Sequence, residues 1–185
     1  EMQGVGAAIK AVALSTKFSV TEIALAAKTL VQAGVETDAL PKVLQATARF
    51  AAAADSDIST AADLISTVRD VYSELDDNTI ANQLTRAVNI SKLTAEDLRT
   101  ILSLGAQTAQ GFNLTSEQYL AAVSTLRNAG IKASTVATGL RQAMLEIFNP
   151  DEKTLKAFKD RYEQMGENIS QEEIRSRFYS FKYAD

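Results

Sequence analysis

Helix-start signatures recur along this chain, and almost nothing between them interrupts a helix. Proline occurs only at Pro41 and Pro150, glycine eight times and alanine 30 times in 185 residues, so the strongest breakers are scarce and the best helix former is abundant. Ser19-Val20-Thr21-Glu22, Thr60-Ala61-Ala62-Asp63, Thr94-Ala95-Glu96-Asp97, Thr115-Ser116-Glu117-Gln118, Asn149-Pro150-Asp151-Glu152 and Ser170-Gln171-Glu172-Glu173 each set a capping side chain three residues ahead of an acid or amide. The cap oxygen accepts an N–H that the first turn leaves orphaned, and a first-turn acid meets the positive end of the helix dipole. Six helix starts follow, with Pro150 read as the first residue of its helix.

Apolar residues repeat at helical spacing behind these starts. Ala61, Leu64, Ile65, Val68, Tyr72 and Leu75 form one stripe, Leu98, Ile101 and Leu102 a second, and Leu155, Phe158, Tyr162 and Met165 a third. Weaker stripes run through Ile23, Ala27, Leu30 and Val31; Leu40, Val43, Leu44 and Ala48; Ile80, Leu84 and Val88; Leu120, Val123 and Leu126; and Leu140, Met144 and Ile147. Gly34, Gly105, Gly130 and Gly166 fall just past periodic segments and read as helix stops. The pattern predicts an all-α fold: a compact multi-helix bundle of about nine or ten short helices built from helix–Gly–helix hairpins.

Two internal echoes complicate this picture. Thr29-Leu30-Val31-Gln32-Ala33-Gly34-Val35 is matched 96 residues later by Thr125-Leu126-Arg127-Asn128-Ala129-Gly130-Ile131, and Thr60-Ala61-Ala62-Asp63-Leu64 returns 34 residues later as Thr94-Ala95-Glu96-Asp97-Leu98. A solenoid keeps one period, so these spacings read as reuse of one hairpin type within a bundle. Composition shifts at Asn149-Pro150. Residues 151–185 hold six of the twelve aromatics and 15 of the 42 charged residues, which marks either a surface awaiting a partner or a cap on the same core. The expected organisation is a helical lead-in over 1–17, an Ala-rich bundle over 18–149 and an aromatic-rich helix pair over 150–185. Glu1 is not an initiator, and the last residues end in mid-pattern, so the chain reads as a piece of a longer polypeptide.

Hydrophobic residues make up 46% and charged residues 23%, the balance of a chain that folds. The sequence contains no His, Cys or Trp, which removes disulfides, thiolate or imidazole metal sites and every catalytic triad built on His. A net charge of −4 and a pI near 5.0 supply no general attraction for nucleic acid or anionic membrane. The most apolar N-terminal stretch, residues 4–14, is broken by Lys10 and preceded by Glu1, so neither a signal peptide nor a membrane span is expected. Protein is the expected partner.

Each motif with a chemical reading has a plainer one. Asp55-Ser56-Asp57-Ile58-Ser59 copies the opening of a calcium loop, but Thr60 stands at the glycine position and Ser66 at the bidentate glutamate position, leaving a solvated loop before a cap. Gly4-Val5-Gly6 opens a dinucleotide-like signature in which Ile9 replaces the third glycine and no strand precedes. Asp76-Asp77 and Glu172-Glu173 are adjacent, and neighbours on a helix point about 100° apart rather than into one cleft. Asn89-Ile90-Ser91, Asn113-Leu114-Thr115 and Asn168-Ile169-Ser170 match the glycosylation sequon and read as loop and cap residues. Lys153, Lys156, Lys159 and Arg161 alternate with Asp151, Glu152, Asp160 and Glu163, a mixed-charge face rather than a nucleic-acid stripe. No catalytic, cofactor-binding or metal-ligating residue is assigned.

Ala129-Gly130-Ile131-Lys132-Ala133-Ser134-Thr135-Val136-Ala137-Thr138-Gly139-Leu140-Arg141-Gln142-Ala143-Met144-Leu145, followed by Phe148-Asn149-Pro150, resembles the core region of bacteriophage tail tape measure proteins. Gln32-Ala33-Gly34-Val35, Leu40-Pro41-Lys42-Val43-Leu44, residues 51–54 and Thr60-Ala61-Ala62-Asp63-Leu64 resemble that family in the same order. The likeness spans roughly residues 18–160, and the small residues of Ala137-Thr138-Gly139 are permuted relative to it.

The resemblance implies a non-enzymatic structural domain that sets tail length and supports tail assembly and genome ejection. Its implied partners are the tail tube, tail tip and tail chaperone proteins, with self-association and no cofactor. Its implied location is the tail lumen of the virion, and the host bacterial cytoplasm during assembly. The competing expectations are a peptidoglycan-degrading module of a tail protein and a helical adaptor of cellular origin.

Overall fold

Short polar side chains fix where each helix begins. The computed structural model describes residues 2–148, 150–174 and 176. Among them lie nine helices and no strand: α1 (Met2–Ser15), α2 (Val20–Gln32), α3 (Leu40–Ala53), α4 (Ile58–Val71), α5 (Asp77–Ile90), α6 (Ala95–Gly111), α7 (Ser116–Asn128), α8 (Ala133–Phe148) and α9 (Glu152–Gln164). A further helical turn covers residues 171–174. Ser19, Thr94 and Thr115 close reciprocal capping boxes with Glu22, Asp97 and Gln118, as their spacing predicts. Ser170 Oγ likewise accepts the Glu173 N–H at 3.1 Å.

Two starts differ from the sequence reading. Asp57, not Thr60, caps α4, and its carboxylate accepts the Thr60 N–H at 2.7 Å and the Thr60 hydroxyl at 2.8 Å. Asp151 caps α9 by accepting the Thr154 N–H at 2.7 Å, so Pro150 precedes the helix instead of opening it; Asn149 lies outside the described residues. Asp76 caps α5 in the same way through Thr79. All three are Asp-x-x-Thr; at Asp57 and Asp76 one carboxylate holds both the backbone and the hydroxyl of the third helical residue, whereas the Thr154 hydroxyl donates to Glu146 at 3.1 Å.

Helix ends explain the longer echo. Gly34 and Gly130 adopt φ of 82° and 87°, letting Val35 and Ile131 turn back and donate to the carbonyls of Leu30 and Leu126 at 3.0 and 3.2 Å. Asp55 and Asn113 close α3 and α6 with the same bond pattern at φ of 48° and 59°.

Helix α1 packs on α3, α3 on α5 and α5 on α7, while α2 packs on α4, α4 on α6 and α6 on α8; the main remaining contacts join helices adjacent in sequence. The bundle is therefore stacked in two layers, odd and even. Successive helices open at residues 2, 20, 40, 58, 77, 95, 116, 133 and 152, one every 17–21 residues and one pair every 36–39. The longer echo obeys this period and the shorter one falls just off it. The 96-residue echo spans five helices, whereas the 34-residue echo is out of register, because Thr94 is a cap and Thr60 sits three residues inside its helix. Residues from Val12 to Met144 share one apolar core, while Leu155, Ile169 and Ile174 form a separate small one with Tyr162 against it.

Gly105 is no stop. It lies buried inside α6, where an added Cβ would overlap Tyr119 Oη. That hydroxyl donates to the Ile101 carbonyl at 3.1 Å, so the missing side chain lets α7 plant a tyrosine on the α6 backbone. The third apolar stripe is also corrected: Leu155 is buried, but Phe158 and Met165 are exposed, because α9 makes no extensive contact with the two layers. Val31 and Ile147 likewise turn outward.

Gly105→Ala is expected to destabilise by about 1–3 kcal/mol through overpacking, despite alanine's better helix propensity. Tyr119→Phe, which loses one buried hydrogen bond, is expected to destabilise by about 1 kcal/mol. Urea unfolding of the double variant checks the geometry: its loss is expected to fall short of the sum of the two single losses.

Tyr72 is buried beside Tyr119, and its hydroxyl finds no partner among the described residues. Burial, with the nearby Glu74 charge, pushes its pKa up to about 12; burial raises Tyr119 in the same direction. A raised folded-state pKa means that stability is intact below the unfolded value near 10 and lost as pH climbs through the folded one. Urea midpoints are therefore expected to fall between pH 10 and 12, and Tyr72→Phe to flatten that fall while leaving the midpoint at pH 7 unchanged or higher.

Candidate functional site

The acidic residues with a possible chemical reading are occupied with helix ends. Asp57 and Asp76 are caps, Asp55 is an exposed residue closing α3, and Asp77 lies 4.0 Å from Arg69. Hydrogen bonds from the capped turns hold Glu22, Asp57, Asp76 and Asp151 below the usual carboxylate range. The largest contribution is the Ser19 hydroxyl for Glu22, the Thr60 N–H for Asp57, the Thr79 hydroxyl for Asp76 and the Thr154 N–H for Asp151. These contributions are present above the unfolded carboxyl values and lost as pH falls through the folded ones. Gly6 lies within α1, so no dinucleotide loop forms there. Of the sequons, Asn89 is inside α5, Asn113 closes α6 and Ser170 starts a turn. On α9 the mixed charges include a Lys159–Glu163 pair at 3.7 Å. No group of three metal-ligating acids occurs among the described residues.

What the stack offers instead is grooves between helices. On the odd layer, α5 and α7 leave a groove of about 370 Å³, walled by Ala87, Leu120 and Ala121 with Gln83 and Ser124 among its lining residues. Arg86 and Glu117 meet across its rim at 3.2 Å. On the even layer, Thr67, Asp70 and Ser103 join two further troughs where α4 passes between α2 and α6. None of these features was singled out from sequence, because each wall belongs to a different helix and only their separation makes a groove.

The turn beside the α5/α7 groove is clamped. Arg127, near the end of α7, donates to Asp97 Oδ2 at 2.8 Å, to the Ile131 carbonyl at 2.8 Å and to the Lys92 carbonyl at 3.3 Å. Asn128 accepts the Lys92 N–H at 3.0 Å and donates to the Ile90 carbonyl at 3.2 Å. The end of α7 thus pins the α5–α6 connection, and Asp97 serves both its capping box and the ion pair.

These features describe a helical body whose described surface carries grooves between its helices. A family model described as phage-related minor tail protein matches residues 6–178. The chain belongs to that family. The match reaches beyond both limits of the likeness read from sequence, taking in α1, α9 and the turn at 171–174. Membership makes the chain a phage tail protein, a virion component with a structural role among other tail components. No curated protein and no solved structure matches it. Among the described residues no helix is long and apolar enough to cross a membrane.

The two ion pairs of α7 separate by burial. The Arg127 and Asp97 side chains are 19% and 21% exposed, those of Arg86 and Glu117 70% and 65%. Arg127→Ala is expected to cost about 1.5–3 kcal/mol and Arg86→Ala less than about 0.5 kcal/mol, read as shifts of the urea midpoint.

Proposed function

We propose that this chain is a domain of a tail tape measure protein, one that sets tail length and supports assembly and ejection by protein–protein contact. The observation that carries the reading is the ordered likeness of residues 18–160 to the tape measure core, within a chain whose family is that of minor tail proteins. Small side chains support it physically. Gly105, Ala106 and Ala109 are buried on α6 and Ala137 on α8, and such residues let helices approach closely, giving a slim body for its chain length.

In this reading residues 18–149 are the tape measure core-like bundle, residues 1–17 lead into it and residues 150–185 lead out. The separate cluster of Leu155, Ile169 and Ile174 supports the second boundary. The domain works without catalysis. Its partners are the tube, tip and chaperone proteins of the tail and further copies of itself; it passes from the host cytoplasm into the tail lumen.

Two measurements on the source phage test this. Mass spectrometry of purified tails is expected to find peptides of the parent chain, and their absence overturns the proposal. Duplicating residues 58–94, one helix pair, in the parent gene is expected to lengthen assembled tails, read by electron microscopy of purified virions. Tails of unchanged length would remove the ruler role.

A further inference from the structure

The α1–α2 end of the stack is apolar on its open side. Lys10 is the one charged residue of α1, and a helix that is apolar all round is ordinarily covered all round. Among the described residues, however, its extensive contacts are with α2 and α3 only. Ala7, Ala11 and Leu14 share the opposite side at helical spacing, and Leu14 is 89% exposed. On α2, Thr29 and Ala33 line the trough toward α4, while Val20, Ala24 and Val31 lie on the other side of the helix. Val20 and Val31 are 49% and 47% exposed. The end pair of a stacked protein turns a polar face outward when solvent is its only neighbour; this pair turns an apolar one.

We infer that this end is a dimer interface, covered by the same end of a second copy. Apolar surface there meets apolar surface, whereas α8 at the far end of the stack exposes Arg141, Gln142 and Glu146 beside Leu145. A two-fold axis normal to the layers sets α1 on α1 and α2 on α2 of the other copy, so both layers run through the junction by the packing rule they follow within the chain. The helices then pair antiparallel, each Leu14 against the other copy's Ala7 and each Val31 against its Val20. The centres of these pairings fall at residues 10–11 and 25–26, both about five residues from the α1–α2 connection, so one axis serves both helices. Lys10 flanks the stripe, where its stem can lie along the pair while its ammonium reaches water. Two helices about 20 Å long make a small interface, so the dimer is expected to be weak, half-formed at micromolar concentration. The inference supplies a surface for the self-association proposed above but rests on packing alone: a monomeric chain would overturn it and leave both tail measurements untouched.

Sedimentation equilibrium of the full 185-residue chain is expected to show a mass that rises with concentration from 19.9 kDa toward twice that value. Leu14→Lys with Val31→Lys, both at exposed positions, is expected to weaken dimerisation at least about tenfold, because the new ammoniums face an apolar partner. Circular dichroism is expected to show its helix content unchanged. Leu104→Lys with Leu145→Lys, exposed apolar positions away from this end, is the control and is expected to dimerise as the parent does. The sequence contains no cysteine, and Ala11→Cys puts a thiol beside the two-fold axis, where the Cα atoms of two copies come within the roughly 7 Å that a disulfide allows. Mild oxidation is expected to cross-link it about tenfold faster than Leu145→Cys, because docking raises the effective thiol concentration. A chain monomeric at every concentration, a dimer weakened equally by the control pair or not at all by Leu14→Lys with Val31→Lys, or equal cross-linking of the two cysteine variants overturns the inference.

Discussion

The contact between Tyr119 and the backbone of α6 sets the spacing on which the rest of the stack depends. A tyrosine can stand on the Ile101 carbonyl only because Gly105, one turn later, has no side chain. Helix α6 is also an inner member of its layer, with α4 on one side and α8 on the other. Its buried positions from Leu98 onward grade from bulky to small: Leu98, Ile101 and Leu102, then Gly105, Ala106 and Ala109. Among the described residues the most extensive helix contact is that of α6 with α8, and small buried side chains such as Ala106, Ala109 and Ala137 favour close approach of helices.

Sequence was informative wherever the physics is local. Ser19, Thr94 and Thr115 could be read as caps because each one's partner lies three residues away. The caps Asp57 and Asp151 lie a few residues from the positions read as caps, because a threonine or an Asn-Pro looked like the cap while the competing carboxylate takes the N–H of the third helical residue; Asp-x-x-Thr is the signal that finds all three such starts. Gly105 was unreadable for a different reason. A glycine after an apolar stripe is a stop or a close contact depending on what faces it, and Tyr119 lies fourteen residues away in another helix. Phe158 and Met165 show the same limit, since periodicity defines a face but not whether anything lies over it. The period of the stack was hidden because the two echoes mark different features, a helix end and a helix start out of register.

The grooves lie one level further from the sequence. Thr79 and Arg86 on α5 become neighbours of Glu117 and Ser124 on α7 only through the packing of two helices separated by all of α6. The Arg127 clamp gives that arrangement its precision, tying the connection between α5 and α6 to the end of α7 with five hydrogen bonds from two consecutive residues. The groove is thus assembled from ordinary core-forming helices, with charged side chains engaged in caps and clamps. This suits a tail component whose role is structural.

Because its main contacts join each of the first eight helices only to partners one or two places along the chain, no strut among the described residues runs from one end of the stack to the other. Tension on a terminus would load the outermost hairpin alone, then the next, so extension would proceed as a series of small slips at low force in place of one abrupt rupture. Slackening the chain would let the same hairpins refold in turn, each templated by the neighbour still in place.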